Sequence, residues 1–109
     1  MYYREYTLVK YIKLLDNLNE IAGNHIRHDR DTNRVRYWSG YSAEIAQCRG
    51  KLTARNFYSK EDIAELDASL HQRWLGLHLT AESSYVEQGR GAALGDCHRL
   101  LEQLRNEPY

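Results

Sequence analysis

Apolar residues recur at three- and four-residue steps along most of this chain, which is the spacing of a helix with one buried face. Between Tyr3 and Ala22 the stripe is Leu8, Tyr11, Ile12, Leu15, Leu18 and Ile21, widened by Leu14, and Gly23-Asn24 reads as its C-cap. Residues 25–40 (HIRHDRDTNRVRYWSG) show no helical period. Asp29 to Asn33 are loop formers, and Val35, Tyr37 and Ser39 alternate with Arg36, Trp38 and Gly40, so a short strand near 34–39 is expected at most, without a clear partner strand. A second helix is expected from Ser39 or Ser42, carrying Ile45, Ala46, Cys48 and Leu52 and weakened at Gly50.

The clearest start signal is Ser59-Lys60-Glu61-Asp62, where the serine can cap first-turn N–H groups and the acids suit the positive end of the helix dipole. Ile63, Leu66, Leu70, Trp74 and Leu77 follow as a third stripe. Thr80 with Glu82 suggests a restart that carries Tyr85 and Val86 and is interrupted at Gly89-Arg90-Gly91. Ala93, Cys97, Leu100, Leu101 and Leu104 mark a last helix that ends before Pro108, the only proline. The pattern predicts an all-α fold, a compact bundle of four to five helices forming one domain over 1–109. Leu15, Ile63, Leu66, Leu70 and Leu101 are expected in its core.

Composition narrows the class without changing the fold. With 42% hydrophobic and 28% charged residues the chain reads as a soluble globular domain. No apolar run approaches the ~20 residues of a membrane span, so no membrane association is expected. The N-terminal MYYREYTLVKYIKLL lacks the basic, apolar and small segments of a signal peptide, and the expected location is cytoplasmic. Two cysteines, Cys48 and Cys97, are too few for a disulfide framework.

Charge changes the picture more. The 15 basic and 15 acidic residues cancel, but residues 27–60 hold eight basic residues against Asp29, Asp31 and Glu44, while residues 61–109 hold nine acidic against four basic. A basic middle joined to an acidic end suggests a surface for a polyanion or acidic partner, or two faces that pair within one chain or between copies. The partner-binding candidates are Arg27, Arg30, Arg34, Arg36, Tyr37 and Trp38, with Arg49 and Lys51 extending the surface. Arginine can pair phosphate or carboxylate, and aromatic faces stack on bases or anchor protein interfaces. If Glu61, Asp62, Glu65 and Asp67 already satisfy these arginines, the segment is structural instead.

Nine tyrosines, crowded at Tyr2, Tyr3 and Tyr6, suggest a contact surface for another chain. Together with the divided charge and the wide first stripe, they lead to the expectation of a homodimer.

Catalytic and metal signatures fail on spacing. His25, His28, Cys48, Cys97 and His98 hold zinc-binding atoms in the wrong order for paired ligand arms, so neither a metal nor a cofactor is expected. His71 and His78 would share a helix face, yet no carboxylate is spaced to orient either. Ser83-Ser84 lacks the strained setting of a nucleophile elbow, and Gly89-x-Gly91-x-x-x-Gly95 is neither dinucleotide fingerprint nor P-loop. After the break, the small residues Gly91, Ala92 and Gly95 suit close approach of another backbone. No helix-turn-helix is legible.

The sequence therefore points to a non-enzymatic helical protein-binding module that regulates or inhibits another macromolecule. Small inhibitors of host machinery made by mobile elements such as phages are built on this scale. The alternative is a nucleic-acid-binding protein using the basic 27–60 segment. The fold expectation is checked by far-ultraviolet circular dichroism, in which the helical signature dominates; a β spectrum overturns it.

Overall fold

The computed structural model describes all 109 residues and contains four helices and no strand. They are α1 (Glu5–His28), α2 (Thr32–Thr53), α3 (Lys60–Gly76) and α4 (Tyr85–Asn106). Helix α1 packs antiparallel on α2, with Ser42 Oγ donating to Asn19 Oδ1 (2.6 Å). Helix α2 packs along α4 in the same direction, and α3 runs back antiparallel to α4. No helix is long and apolar enough to cross a membrane.

The expected strand near 34–39 is helix, and α2 begins at Thr32 rather than at Ser39 or Ser42. Asp31 caps it, its side chain accepting from the Asn33 N–H (2.9 Å). Val35, Trp38, Tyr41, Ile45, Cys48 and Leu52 form an unbroken three-four stripe, which the local alternation of Val35, Tyr37 and Ser39 disguises. Gly23-Asn24 does not end α1. The Asn24 side chain instead accepts from Arg27 Nη2 (2.6 Å), and the helix runs on to His28.

Ser59 starts α3 as expected, in a reciprocal capping box with Asp62. Helix α3 ends at Gly76, and the chain turns through His78 in the left-handed region (φ 47), so His71 and His78 share no helix face. Helix α4 starts from a second capping box, Ser84 with Glu87, and not from Thr80. Gly89 and Gly91 lie inside α4 and do not interrupt it.

Those glycines set the packing. A Cβ on Gly89 would overlap the carbonyl oxygen of Tyr37, and one on Gly40 would overlap that of Val86. Both clashes are with backbone, so α2 and α4 approach as closely as two helices can only because neither carries a side chain there. The backbone approach expected at Gly91, Ala92 and Gly95 comes instead at Gly89, which the pattern marked as a break; Gly91 meets the Leu79 side chain and Gly95 faces open space.

Around this crossing lies one apolar core of 18 buried residues. Leu15, Ile63, Leu70 and Leu101 belong to it, whereas Leu66 is half-buried at its margin. Trp74, expected on the third stripe, is 44% exposed. Cys48 and Cys97 are both buried in this core, where the hydrogen bond with Cys48 and burial push the Cys97 thiol up.

One carboxylate is deeply buried at the junction of α2, α3 and α4. Glu44 is 3% exposed and takes Nη2 (2.7 Å) and Nε (3.2 Å) of Arg73 and Nε of Arg90 (2.9 Å). Burial pushes this carboxyl up, but the hydrogen bonds from Arg73 and then Arg90 outweigh it and hold it below its ordinary value of 4.5.

Two predictions follow from the junction. Gly89→Ala costs about 3 kcal/mol or more, since a backbone carbonyl cannot rotate away. Gly50→Ala and Gly95→Ala, which meet nothing within 4 Å, each gain about 0.5–1 kcal/mol of helix propensity. Urea denaturation measures all three.

Glu44→Gln costs about 3 kcal/mol at neutral pH, at the low end for a broken buried pair because both arginines are about a third exposed and can rehydrate. A carboxyl held low stabilises fully above its unfolded value and loses that contribution as pH falls through its folded value. Stability of the wild type therefore drops more steeply below pH 4.5 than that of Glu44→Gln in an acid titration of the unfolding midpoint.

Candidate partner-binding site at the α1–α2 tip

No residue from Gly23 to Ser39 is buried, while Ala22 and Gly40 on either side are. The reason is the offset of α4, whose first turns meet α2 at Tyr37 and Gly40. The last turns of α1 and the second turn of α2 meet at this end, where Trp38 also packs on the margin of the core.

An aromatic ladder joins these two turns. His25 lies flat on Trp38 (centroids 4.3 Å, planes 3° apart), and Trp38 meets the rings of Tyr37 and Tyr41 edge-on, each at 5.2 Å. Such contacts fix side chains that would otherwise be free at a helix end. Tyr37 and Trp38 are half-buried, each showing part of its ring to solvent.

The arginines of the tip divide into two sets. Arg34 Nε lies 3.4 Å from Asp29 Oδ2 and 3.6 Å from Asp31 Oδ2, so the two acids of the loop are occupied by one guanidinium. Arg27 touches only the Asn24 amide, and Arg30 and Arg36 make no hydrogen bond or ion pair. Three exposed guanidiniums thus stand on the tip without a carboxylate. Arg34 and Arg36 point to opposite sides of α2, because two residues turn a helix by about 200°.

The rest of the expected surface is elsewhere. Arg49 faces α1, with Nε 2.5 Å from Asp16 Oδ1, and Lys51 faces α3, with Nζ 3.2 Å from Ser69 Oγ. Both lie more than ten residues along α2 from Trp38, about 16–20 Å by helix rise. The acidic C-terminal half does not quench the tip. Of its acids only Asp62 forms an ion pair with a base of the 27–60 segment, at Arg55 (3.6 Å).

Three further features were not legible in the sequence. Asp67 accepts His98 Nδ1 (2.7 Å) at the end of a groove of about 560 Å³ between α3 and α4, walled by Leu70, Trp74 and Leu94. That pair spans 31 residues, so no local spacing announces it. The zinc-type donors are dispersed, with His25 at the tip, Cys48 and Cys97 in the core and His98 turned toward Asp67. Of the N-terminal tyrosines, Tyr3 is buried against Tyr109, while Tyr2 and Tyr6 are exposed beside an equally exposed Phe57.

Single substitutions separate the tip residues. Arg34→Ala lowers stability by at most about 1 kcal/mol, as an exposed ion pair. Arg36→Ala leaves it within about 0.5 kcal/mol. Trp38→Ala costs about 2–3 kcal/mol, less than a fully buried tryptophan, since it removes the ladder. Thermal denaturation checks this order.

Comparison of the chain with protein-family models, with curated proteins and with solved structures finds no match.

Proposed function

We propose that this chain is a non-enzymatic protein-binding module, acting in the cytoplasm, that regulates or inhibits a macromolecule by seating its α1–α2 tip on an acidic surface of a protein partner. The observation that carries this is the tip itself: Arg27, Arg30 and Arg36 without carboxylates, beside Tyr37 and Trp38 held by the ladder. Arginine, tyrosine and tryptophan are the types that concentrate binding energy, and aromatic anchors fixed beforehand lose little entropy on binding. A surface covered in this way is closed to its other ligands, which is how a small protein with no catalytic step acts as a regulator.

Nucleic acid is the alternative ligand. Single-strand binders track a backbone with a continuous basic groove. Here Arg49 and Lys51 turn to other neighbours, and Asp29 and Asp31 sit within the tip, which favours the protein reading. The non-enzymatic part is supported by His98, whose two ring nitrogens face Asp67 and Glu102, while its chain neighbour Cys97 is buried with its thiol against Cys48.

The test is a photo-crosslinking residue at Arg36, compared with one at exposed Gln47 on the same helix, in the cell that makes the protein. The expected result is a protein adduct from position 36 alone, at an Asp/Glu-rich peptide, lost in Arg27→Ala/Arg30→Ala with the melting temperature unchanged. Equal adducts from both positions overturn the site, and nucleic-acid adducts from position 36 overturn the choice of partner.

A further inference from the structure

The end of the molecule opposite the tip is closed by backbone and tyrosines. The Tyr3 N–H donates to the Tyr58 carbonyl (2.8 Å), the Lys60 N–H donates to the Tyr109 hydroxyl (2.7 Å), and the Tyr3 and Tyr109 rings pack at 4.9 Å. This closure buries Tyr3 and Tyr58 and leaves their neighbours outside. Tyr2 is 58%, Tyr6 78% and Phe57 66% exposed, and the Tyr2 and Phe57 rings touch at 5.8 Å. Beside them a groove of about 510 Å³ opens between the start of α1 and the end of α2, lined by Leu8, Val9, Ile12, Leu52 and Phe57. Nothing in the chain fills it. Its exposed apolar surface comes from Val9 and Phe57, and exposed apolar side chains gathered at a groove suit a contact surface.

The charges at the groove indicate what covers it. Glu5 lines it from α1 and makes no ion pair within the chain. Arg55 lines it from the α2–α3 connection, its guanidinium over the Tyr58 ring (4.7 Å) and 3.6 Å from Asp62, with its side chain 53% exposed. One patch that carries a groove, exposed aromatic rings, a free acid and a half-exposed base offers both halves of a self-complementary contact. A two-fold axis places each Glu5 against the other Arg55, so one kind of pair forms twice. With 15 charges of each sign, the chain has no net charge to hold two copies apart.

We propose that this groove is the seam of a two-fold dimer, in which Tyr2 and Phe57 of each copy seat in the groove of the other and Glu5 pairs with Arg55 across the axis. The basic tip is roughly 33 Å away along α1 and stays free, so the dimer presents two tips and binds bivalently. The proposal goes beyond the tip reading and does not require it.

Sedimentation velocity across low to high micromolar concentrations tests it. The expected result is a monomer–dimer equilibrium whose dissociation constant rises about thirty-fold or more in Val9→Asp/Phe57→Asp, the scale of one lost hot-spot side chain. Glu5→Arg and Arg55→Glu each weaken the dimer, and the two together restore it, because the pair is re-formed with its signs exchanged. The charge variants decide the question even if the apolar variant fails to fold, which circular dichroism reports. A strict monomer at every concentration overturns the proposal. So does a dimer that the charge variants leave unchanged, a double variant that does not restore it, or a dimer broken instead by Trp74→Asp in the α3–α4 groove.

Discussion

The backbone-to-backbone crossing of α2 and α4 at Gly40 and Gly89 is the constraint on which the rest of the structure depends. Each carbonyl there occupies the place of the other helix's missing Cβ. At that separation α2 reaches two partners on α4 directly: Tyr41 donates to Asp96 (2.6 Å), and Arg90 meets Glu44 (2.9 Å). Two helices running the same way set like dipole ends side by side, which is mildly unfavourable. The Glu44 junction offsets this by drawing Arg73 of α3 and Arg90 of α4 to one buried carboxylate on α2. A slip of one helix along another would strand that charge in the core, so the junction fixes register as much as it adds stability.

The same crossing creates the tip. Because α4 begins beside Tyr37 and Gly40, no residue of α2 before Gly40 is buried. The stack of His25 on Trp38 supplies locally what the core supplies elsewhere. A projecting element that is stiff, half-aromatic and positively charged is suited to contact without refolding, and its cost to the bundle is small because no core residue lies in it.

Charge is distributed to the same end. The acids of residues 27–60 are all engaged, Asp29 and Asp31 by Arg34 and Glu44 by arginines of the acidic half. The main bridge between the two halves therefore runs from an acid of the basic middle to bases of the acidic end, the reverse of what the totals suggest. Arg27, Arg30 and Arg36 are left over at the tip, and Glu5 at the other end, so the two unfilled surfaces of the molecule differ in kind.

By itself the sequence determined the helical class, the α1 and α3 stripes except for the exposed Ile21 and Trp74, the Ser59 start and four of the five core positions named from it. Periodicity and capping act over three or four residues, a range the chain shows directly. It also marked the arginines and aromatics of the tip. Tertiary structure alone decided that residues 32–39 are helix, since their polarity reflects a missing neighbour rather than a missing helix. It decided that Gly89 and Gly91 are contacts and not breaks, because a glycine looks the same in sequence whether it opens a turn or admits a backbone. It also divided the basic segment, turning Arg49 to Asp16 and Lys51 to Ser69 and leaving Arg36 free. For Glu44, Arg49 and Lys51 the partners lie 18 to 46 residues away, and no local pattern encodes that distance.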